Sequence, residues 1–210
     1  MIHKPSLFVV YSVLIFILLV ICPAWSYDSR PVRSLLEIRR ENVVVQEWDL
    51  SCGAATLATL LNYQHGDFVS EKAIAKGLIS RGEYIKHPQL VKIRHGFSLL
   101  DLKRYVDGRG YNGIGYGKLK LKDLIAQAPI MVPIHTNGYN HFVIFRGIYG
   151  GRVLLADPAW GNRTMLKSRF EDSWIDYPEL GKIGFVVERL DDVEPPNTLA
   201  PRLSEFVTLK

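Results

Sequence analysis

The sequence predicts an α+β fold, with helices in the first half of the chain and antiparallel strands in the second. Residues 52–107 hold apolar residues at the spacing of helical faces. Residues 111–190 hold short apolar and β-branched runs that end at Gly, Pro or Asn, as strands do. The chain has 210 residues, 48% hydrophobic and 22% charged, so one domain can bury a core without disulfides or metals.

The first 26 residues have the layout of a secretory signal peptide. An apolar run extends from Leu7 to Cys22, and small residues permit cleavage after Ser26. This run is shorter than the about 20 apolar residues that span a bilayer. We therefore expect cleavage and a periplasmic protein. An uncleaved anchor, which would then be the protein's contact with the membrane, is the alternative.

The rest of the chain divides into three parts by composition. Residues 27–42 form a polar lead-in that is rich in arginine. The domain is expected at residues 43–190, which contain the helical and strand patterns. Residues 191–210 contain three prolines and are predicted to be a C-terminal tail.

The first helix is expected to begin at Cys52. Apolar residues recur from Ala54 at i, i+3, i+4 and i+7, the pattern of one buried helical face. Asp49 or Ser51 can cap its N-terminus. The helix should end near Tyr63, before a glycine loop.

Three more helices follow in the sequence. An apolar stripe predicts a helix over residues 70–81. Ser98 and Asp101 form a capping box, which opens a third helix that ends near Asp107. A short fourth helix is expected over residues 121–127.

Short apolar and β-branched runs predict the strands of the sheet. The runs at 141–149 and 152–156 are joined around Gly150-Gly151, so these two strands should pair. The predicted strands lie at residues 43–45, 111–117, 130–135, 141–149, 152–156 and 183–190, with a further short one at 164–166.

Cysteine usage is informative, because the chain contains two cysteines and Cys22 lies in the expected signal peptide. Cys52 is then the one thiol of the mature domain and cannot form an internal disulfide. It stands at an expected helix N-terminus, where about half a positive charge favours a thiolate. A nucleophile is one interpretation of this residue, and a small buried hydrophobe is the other.

A thiol nucleophile needs a base, and His141 is the best candidate among the six histidines. It begins the apolar strand 141–149 after the flexible loop 137–140, so a rigid sheet can hold its imidazole at a cleft. His135, at the end of the preceding strand, is the best rival. An ordinary histidine at a sheet edge is the alternative.

Asp157 ends the strand after His141 and can orient its imidazole. A strict two-residue turn at Gly150-Gly151 would pair Asp157 with Ile144, on the opposite face of the sheet from His141. The interaction therefore requires an odd turn length or a bulge. The alternative role for Asp157 is that of a turn-forming Asp-Pro residue.

Gln46 lies six residues before Cys52, in the loop that leads to the first helix. Its side-chain amide can donate a hydrogen bond to a developing oxyanion, beside the backbone N–H of Cys52. A single glutamine is weak evidence, but its place before a Cys-Gly helix start adds weight.

Composition argues against several other kinds of function. One cysteine and no closely spaced Cys/His pair do not make a zinc site, so no metal is expected. No glycine-rich phosphate loop is found, and no cofactor is expected. The net charge of +5 is modest and its densest run, residues 118–122, is short, so nucleic acid is not an expected partner.

Four groups of residues form a recognisable combination: Gln46 with Ser51-Cys52-Gly53-Ala54-Ala55, the segment 95–102, His141-Phe142-Val143, and Asp157-Pro158-x-x-Gly161. Together they resemble the bacteriocin-processing, double-glycine cysteine peptidases, family 39 of the papain-like superfamily. The resemblance covers residues 43–190. It implies a papain-like fold, in which an N-terminal helical lobe with the nucleophile helix packs on an antiparallel sheet. It also implies Cys52 as nucleophile, His141 as base, Asp157 as orienting residue and Gln46 as oxyanion donor.

The resemblance also implies a substrate class. Family members joined to export transporters cleave leader peptides after Gly-Gly, whereas this chain is most similar to stand-alone periplasmic members that accompany functional-amyloid export. An exported thiol protease is therefore expected, with a peptide or protein substrate such as an amyloid-export component. Two other functions stay open, because a fold and a triad do not fix the acceptor. They are a peptide-binding module without catalysis and a papain-like acyl transferase or amidase.

Overall fold

The computed structural model describes residues 32–93 and 96–210. The expected signal peptide with Cys22, the start of the lead-in and His95 lie outside these residues. Within the described part of the chain, no helix is both long and apolar enough to cross a bilayer.

Most helices precede the sheet in the sequence, as expected. The four predicted helices correspond to α2, α3, α6 and α7, and the capping box of Ser98 and Asp101 is formed at α6. The other helices were not predicted. The helices are α1 (Leu35–Arg40), α2 (Cys52–Thr59), which continues as a π-helical turn over Leu60–Gln64, α3 (Glu71–Ile79), α4 (Gly82–Lys86), α5 (Leu90–Ile93), α6 (Leu99–Asp107), α7 (Leu121–Gln127), α8 (Lys167–Ser173) and α9 (Leu203–Thr208).

The strands form one large antiparallel sheet and a small two-stranded one. The large sheet has the order β1-β8-β2-β3-β4-β5, and β6 pairs with β7. The strands are β1 (Tyr111–Tyr116), β2 (Ile130–Thr136), β3 (Tyr139–Tyr149), β4 (Arg152–Asp157), β5 (Gly161–Leu166), β6 (Asp176–Tyr177), β7 (Gly181–Lys182) and β8 (Gly184–Arg189).

The strand expected at residues 43–45 is not formed. The backbone of this segment and of the residue after it bonds to a side chain and a turn instead of a strand ladder. The N–H of Val44 donates to Thr59 Oγ1 at 3.0 Å, and the N–H of Gln46 donates to the carbonyl of Pro158 at 2.8 Å. β-branched residues favoured a strand, but among residues 32–93 and 96–210 no partner strand lies beside them.

Helix α2 lies at the centre of the fold, because every residue from Cys52 to Thr59 is buried. The apolar stripe that begins at Ala54 explains why one side of the helix is buried, but not the others. On another side, Thr56 Oγ1 lies 3.1 Å from the carbonyl oxygen of Phe142 in β3. A helix that is covered all round is a core helix, so its N-terminus is held rigidly against the sheet.

Two apolar clusters cover the two faces of the sheet, as the alternation of strand side chains dictates. Ile144 in β3 packs in the first cluster, together with residues of α2, α3 and α6. Its neighbours Val143 and Phe145 pack in the second cluster, with Phe170 and Trp174 in and beside α8. By this alternation, His141 shares the face of Val143.

The prediction of a C-terminal tail over residues 191–210 was wrong. The chain folds back and forms α9, and Leu199, Phe206 and Leu209 are buried. Phe206 and Leu209 pack on Leu154 of β4 in a third apolar cluster. The apolar anchors are few and lie among polar residues and prolines, so no periodic stripe marks them in the sequence.

The turn between β4 and β5 depends on a glycine. Gly161 has a φ of +77° and pairs with Asp157. A Cβ at this position would overlap the carbonyl oxygen of Arg39. Gly151 has a similar φ of +73°, but a Cβ there would meet open space. An alanine at Gly151 would therefore suffer backbone strain alone, whereas an alanine at Gly161 would also overlap a neighbouring backbone.

We expect Gly161→Ala to lower the free energy of unfolding much more than Gly151→Ala, as measured by urea denaturation. Gly151→Ala should cost about 1–2 kcal/mol, the strain of a left-handed alanine. Gly161→Ala adds a steric overlap and should cost roughly 3 kcal/mol or more. Equal losses in the two variants would contradict the close approach at Gly161.

Candidate active site

Cys52 is the first residue of α2 and is 8% exposed. The sequence suggested Asp49 or Ser51 as the cap of this helix, but no side chain caps it. Ser51 occupies the N-cap position, and its hydroxyl donates to the carbonyl of Trp48 instead. The prediction of a side-chain cap was therefore wrong. As a result, no capping side chain competes for the N–H groups of the first turn, and the positive end of the helix dipole lies at the Cys52 thiol.

His141 and Asp157 form a buried pair. Nε2 of His141 lies 2.7 Å from Oδ1 of Asp157, and the two side chains are 2% and 0% exposed. Cys52 lines the same two cavities as His141, and its thiol raises the pKa of this imidazole. Since Asp157 engages Nε2, the other ring nitrogen, Nδ1, is the one available to the thiol. The structure thus brings all three predicted residues together.

A β-bulge makes the pairing of His141 and Asp157 geometrically feasible. Near the turn, β3 and β4 pair in the strict register, with Tyr149 opposite Arg152. The register then shifts between Phe145 and Gly147, which leaves Arg146 as an extra residue in β3. Beyond the bulge, Ile144 lies opposite Ala156, so Asp157 shares the face of His141. The condition derived from the sequence is met by a bulge.

The surroundings of the pair shift both pKa values. Burial lowers the pKa of His141, but the hydrogen bond with Asp157 and the interaction with the Cys52 thiol more than offset it and raise this pKa from 6.5 to about 9. Burial raises the pKa of Asp157, whereas the hydrogen bond from His141 and the charges of His141 and Arg163 lower it below its usual 3.8. An imidazolium beside a carboxylate is therefore favoured at neutral pH.

These shifts link folding to pH. The raised pKa of His141 stabilises the fold fully below pH 6.5, and this contribution is lost as the pH rises through about 9. The lowered pKa of Asp157 stabilises the fold above pH 3.8, and this contribution is lost as the pH falls further. Stabilisation by the pair is therefore greatest between these two ordinary values.

Two further groups hold the Asp157 carboxylate. Arg163 Nε donates to Oδ2 at 2.8 Å, and the N–H of Ala159 donates to Oδ1 at 2.9 Å. Arg163 was not found from the sequence. It lies opposite Leu155, which shares a face with Asp157, so the β4–β5 pairing is the signal that could have found it.

Gln46 lines the same cavity as Cys52 and His141. The bond from its N–H to Pro158 ties this loop to the turn that follows Asp157. Its side-chain Oε1 is buried without a hydrogen-bond partner among the described residues. A buried polar atom without a partner is costly, so this side chain is held in a polar environment that is not fully satisfied.

Two cavities meet at Cys52. One of about 290 Å³ holds Gln46 and the turn between β2 and β3. The other, of about 420 Å³, is lined largely by apolar residues of the 97–100 and 177–183 segments. Cys52, Asn140 and His141 line both. The thiol thus lies within a cleft that extends in two directions, as a peptide site requires.

The rival base, His135, lies at the rim of the smaller cavity. It is exposed, and its Nδ1 lies 2.9 Å from Asn140 Oδ1 rather than near a carboxylate. Tyr139, which was not singled out from the sequence, packs edge-on against the His141 ring with centroids 5.6 Å apart. In the described part of the chain, no group of three or more His, Cys, Asp or Glu side chains is placed to hold a metal ion.

Comparison with known proteins identifies similar sequences. A family model described as the Peptidase C39 family matches residues 40–178. Two curated relatives are each named "Probable functional amyloid protease FapD". The one from Pseudomonas aeruginosa is 35% identical over 72% of this chain, but the match spans 65% of that relative, just under two thirds of its length. The one from Pseudomonas fluorescens is 32% identical, over 88% of this chain and 80% of the relative.

Solved structures with a similar fold agree with the expected architecture. One is a double glycine motif protease from an AMS/PCAT transporter in complex with the leader peptide, with a TM-score of 0.54 and 22% identity over 70% of this chain and 90% of that one. Another is the peptidase domain of Streptococcus ComA, with a TM-score of 0.54 and 16% identity over 70% and 97%. The predicted papain-like peptidase fold is confirmed.

We expect Asp157→Asn to lower the midpoint at which His141 titrates from about 9 toward 6.5, because the carboxylate that stabilises the imidazolium is removed. Ring-proton NMR across this pH range measures the midpoint, and His141→Ala identifies the resonance. Asp191→Asn, which removes an exposed carboxylate paired with Arg189, is the control and should leave the midpoint unchanged. A midpoint that stays near 9 in Asp157→Asn would show that the pair does not set it.

Proposed function

Because this chain belongs to the peptidase C39 family of cysteine peptidases, we propose that it hydrolyses a peptide bond, with Cys52 as nucleophile and His141 as acid and base. One observation carries the proposal. The thiol at the N-terminus of a core helix lies in the same cleft as an imidazole whose Nε2 is held by Asp157, and it raises the pKa of that imidazole. A nucleophile, a base and an orienting group are what covalent acyl transfer requires.

The proposed reaction has two halves. The Cys52 thiolate attacks the peptide carbonyl carbon, a C–S bond forms, and the carbonyl electron pair moves to oxygen. The Gln46 amide and the Cys52 N–H stabilise this oxyanion. His141 donates its proton to the departing amine as the C–N bond breaks. A water molecule, deprotonated by His141, then cleaves the thioester and restores the thiolate.

We propose that the bond cleaved follows Gly-Gly. The supporting argument is steric, because Cys52 is 8% and His141 3% exposed. A substrate backbone reaches groups this deep most easily when the residues beside the bond lack side chains. One protein of similar fold acts, by its description, on a double glycine motif. The apolar walls of the larger cavity suit apolar side chains further along the substrate.

We propose the periplasm as the place of action and an exported protein as the substrate. The N-terminal apolar run supports export. The two relatives named as functional amyloid proteases support an amyloid-export component as the substrate. In this role the protein is a thiol protease that supports secretion or assembly.

The peptidase activity is tested with the mature protein and peptides of exported proteins that contain Gly-Gly, with cleavage followed by mass spectrometry. We expect cleavage by the wild type and a loss of about 10³-fold or more in Cys52→Ala and His141→Ala. Binding without cleavage by the wild type would favour a peptide-binding module. Products joined to an added amine, in place of hydrolysis, would favour an acyl transferase. A matched peptide with Ala-Ala at the site isolates the specificity, since equal cleavage would contradict the Gly-Gly proposal alone.

The role of Gln46 is tested on the same substrate. We expect Gln46→Ala to lower kcat by about 10²–10³-fold with little change in KM, as loss of one oxyanion donor does. His135→Ala is the matched control, because His135 lines the same cavity but is given no part in the reaction. Similar kcat values for Gln46→Ala and the wild type would exclude Gln46 as an oxyanion donor.

A further inference from the structure

The bulge in β3 carries a buried charge. Arg146 is the extra residue of this strand, and its side chain is 2% exposed. Arginine is rarely buried unless its charge is paired. The Arg146 guanidinium meets its partners mainly in the C-terminal segment, the part of the chain that the sequence had suggested was a tail.

All five N–H donors of the Arg146 guanidinium are satisfied. Nη1 and Nη2 donate to the two carboxylate oxygens of Glu205 at 2.7 and 3.1 Å. Nε donates to the carbonyl of Leu199 at 2.8 Å, and Nη2 to that of Ala200 at 3.3 Å. Nη1 also donates to Asn162 Oδ1 at 2.8 Å. A planar fork with every donor engaged has one favourable position.

The C-terminal segment also lies directly over the bulge. A Cβ on Gly147 would come within 2.9 Å of Pro201 Cγ, so the Pro201 ring lies close to the backbone of β3. Phe206 packs on Leu154, the residue paired with Gly147. Apolar contacts and the ion pair thus join this segment to both strands at the point where the register shifts.

The alternative register would separate these partners. Without the bulge, Arg146 would enter the ladder opposite Leu155, and Asp157 would move opposite Ile144, away from the face of His141. The Arg146 side chain would also leave the position in which Glu205 neutralises it. A buried charge without its partner is strongly unfavourable, so the ion pair stabilises the bulged register.

We propose that Arg146 and Glu205 form a positioning pair for the active site: the C-terminal segment holds the bulge of β3, and the bulge places Asp157 beside His141. The proposal extends the proposed function, since it concerns the residue assigned there as acid and base. Neither Arg146 nor Glu205 lines the cavities at Cys52. Their effect on chemistry would act through the register of the hairpin.

The test compares Glu205→Gln with Phe206→Ala, which removes an apolar contact of the same helix but leaves the ion pair. NMR titration gives the midpoint of His141, and thermal unfolding gives stability. We expect Glu205→Gln to lower the midpoint from about 9 toward 6.5, and Phe206→Ala to lower the Tm but not the midpoint. Peptide hydrolysis by Glu205→Gln should lose at least about tenfold in kcat with little change in KM, since acid–base catalysis is impaired. A midpoint near 9 in both variants would overturn the proposal.

A second variant separates positioning from stability. Arg146→Met with Glu205→Leu replaces the ion pair by apolar side chains, an exchange that often preserves folding. We expect a folded protein in which the His141 midpoint is low. A folded double variant with a midpoint near 9 would contradict the proposal. The titration needs no substrate, so a shifted midpoint in a protein that cleaves no peptide would count against the proposed function and not against the positioning pair.

Discussion

The hydrogen bond between His141 and Asp157 is the interaction on which the site depends, and a single extra residue in β3 makes it feasible. Two antiparallel strands in strict register would put these side chains on opposite faces of the sheet. The bulge at Arg146 shifts the pairing of the two strands by one residue in the part of the hairpin that lies away from the turn. The carboxylate then reaches Nε2 at 2.7 Å and leaves Nδ1 for the thiol of Cys52. A local irregularity of backbone pairing thus decides the orientation of the imidazole.

Burial serves two purposes at this site. It removes water from the pair, which strengthens each remaining interaction of the imidazolium. It also makes every unpaired group costly, so the Asp157 carboxylate is held by Arg163 and the Ala159 N–H in addition to His141. The core helix α2 contributes in the same way, since its N-terminus cannot move without disturbing the packing of the residues behind it. The nucleophile is therefore placed by the core rather than by a surface loop.

Local patterns in the sequence were sufficient to predict the parts of the fold that depend on interactions between nearby residues. The helical stripe after Ala54, the capping box at Ser98 and the turn glycines all act over a few residues. The prediction of Cys52 rested on such signals too, because it is one thiol at one helix start. The side-chain cap failed for a local reason, because the Ser51 hydroxyl donates to the carbonyl of Trp48. The predictions of a strand at 43–45 and of a tail failed for a different reason. In each case the outcome depends on partners distant in sequence, such as Thr59 for Val44 and Leu154 for Phe206.

The bulge itself shows where this limit lies. A charged residue followed by glycine interrupts the apolar strand at Arg146-Gly147, which is a recognised sign of a bulge. The same sign fits a strand that simply reaches solvent, since a charge at a strand edge needs no explanation. Only the buried partner decides between the two, and Glu205 lies 59 residues further along the chain. The register of the catalytic hairpin is therefore encoded jointly by the strand and by the C-terminal segment, and neither determines it alone.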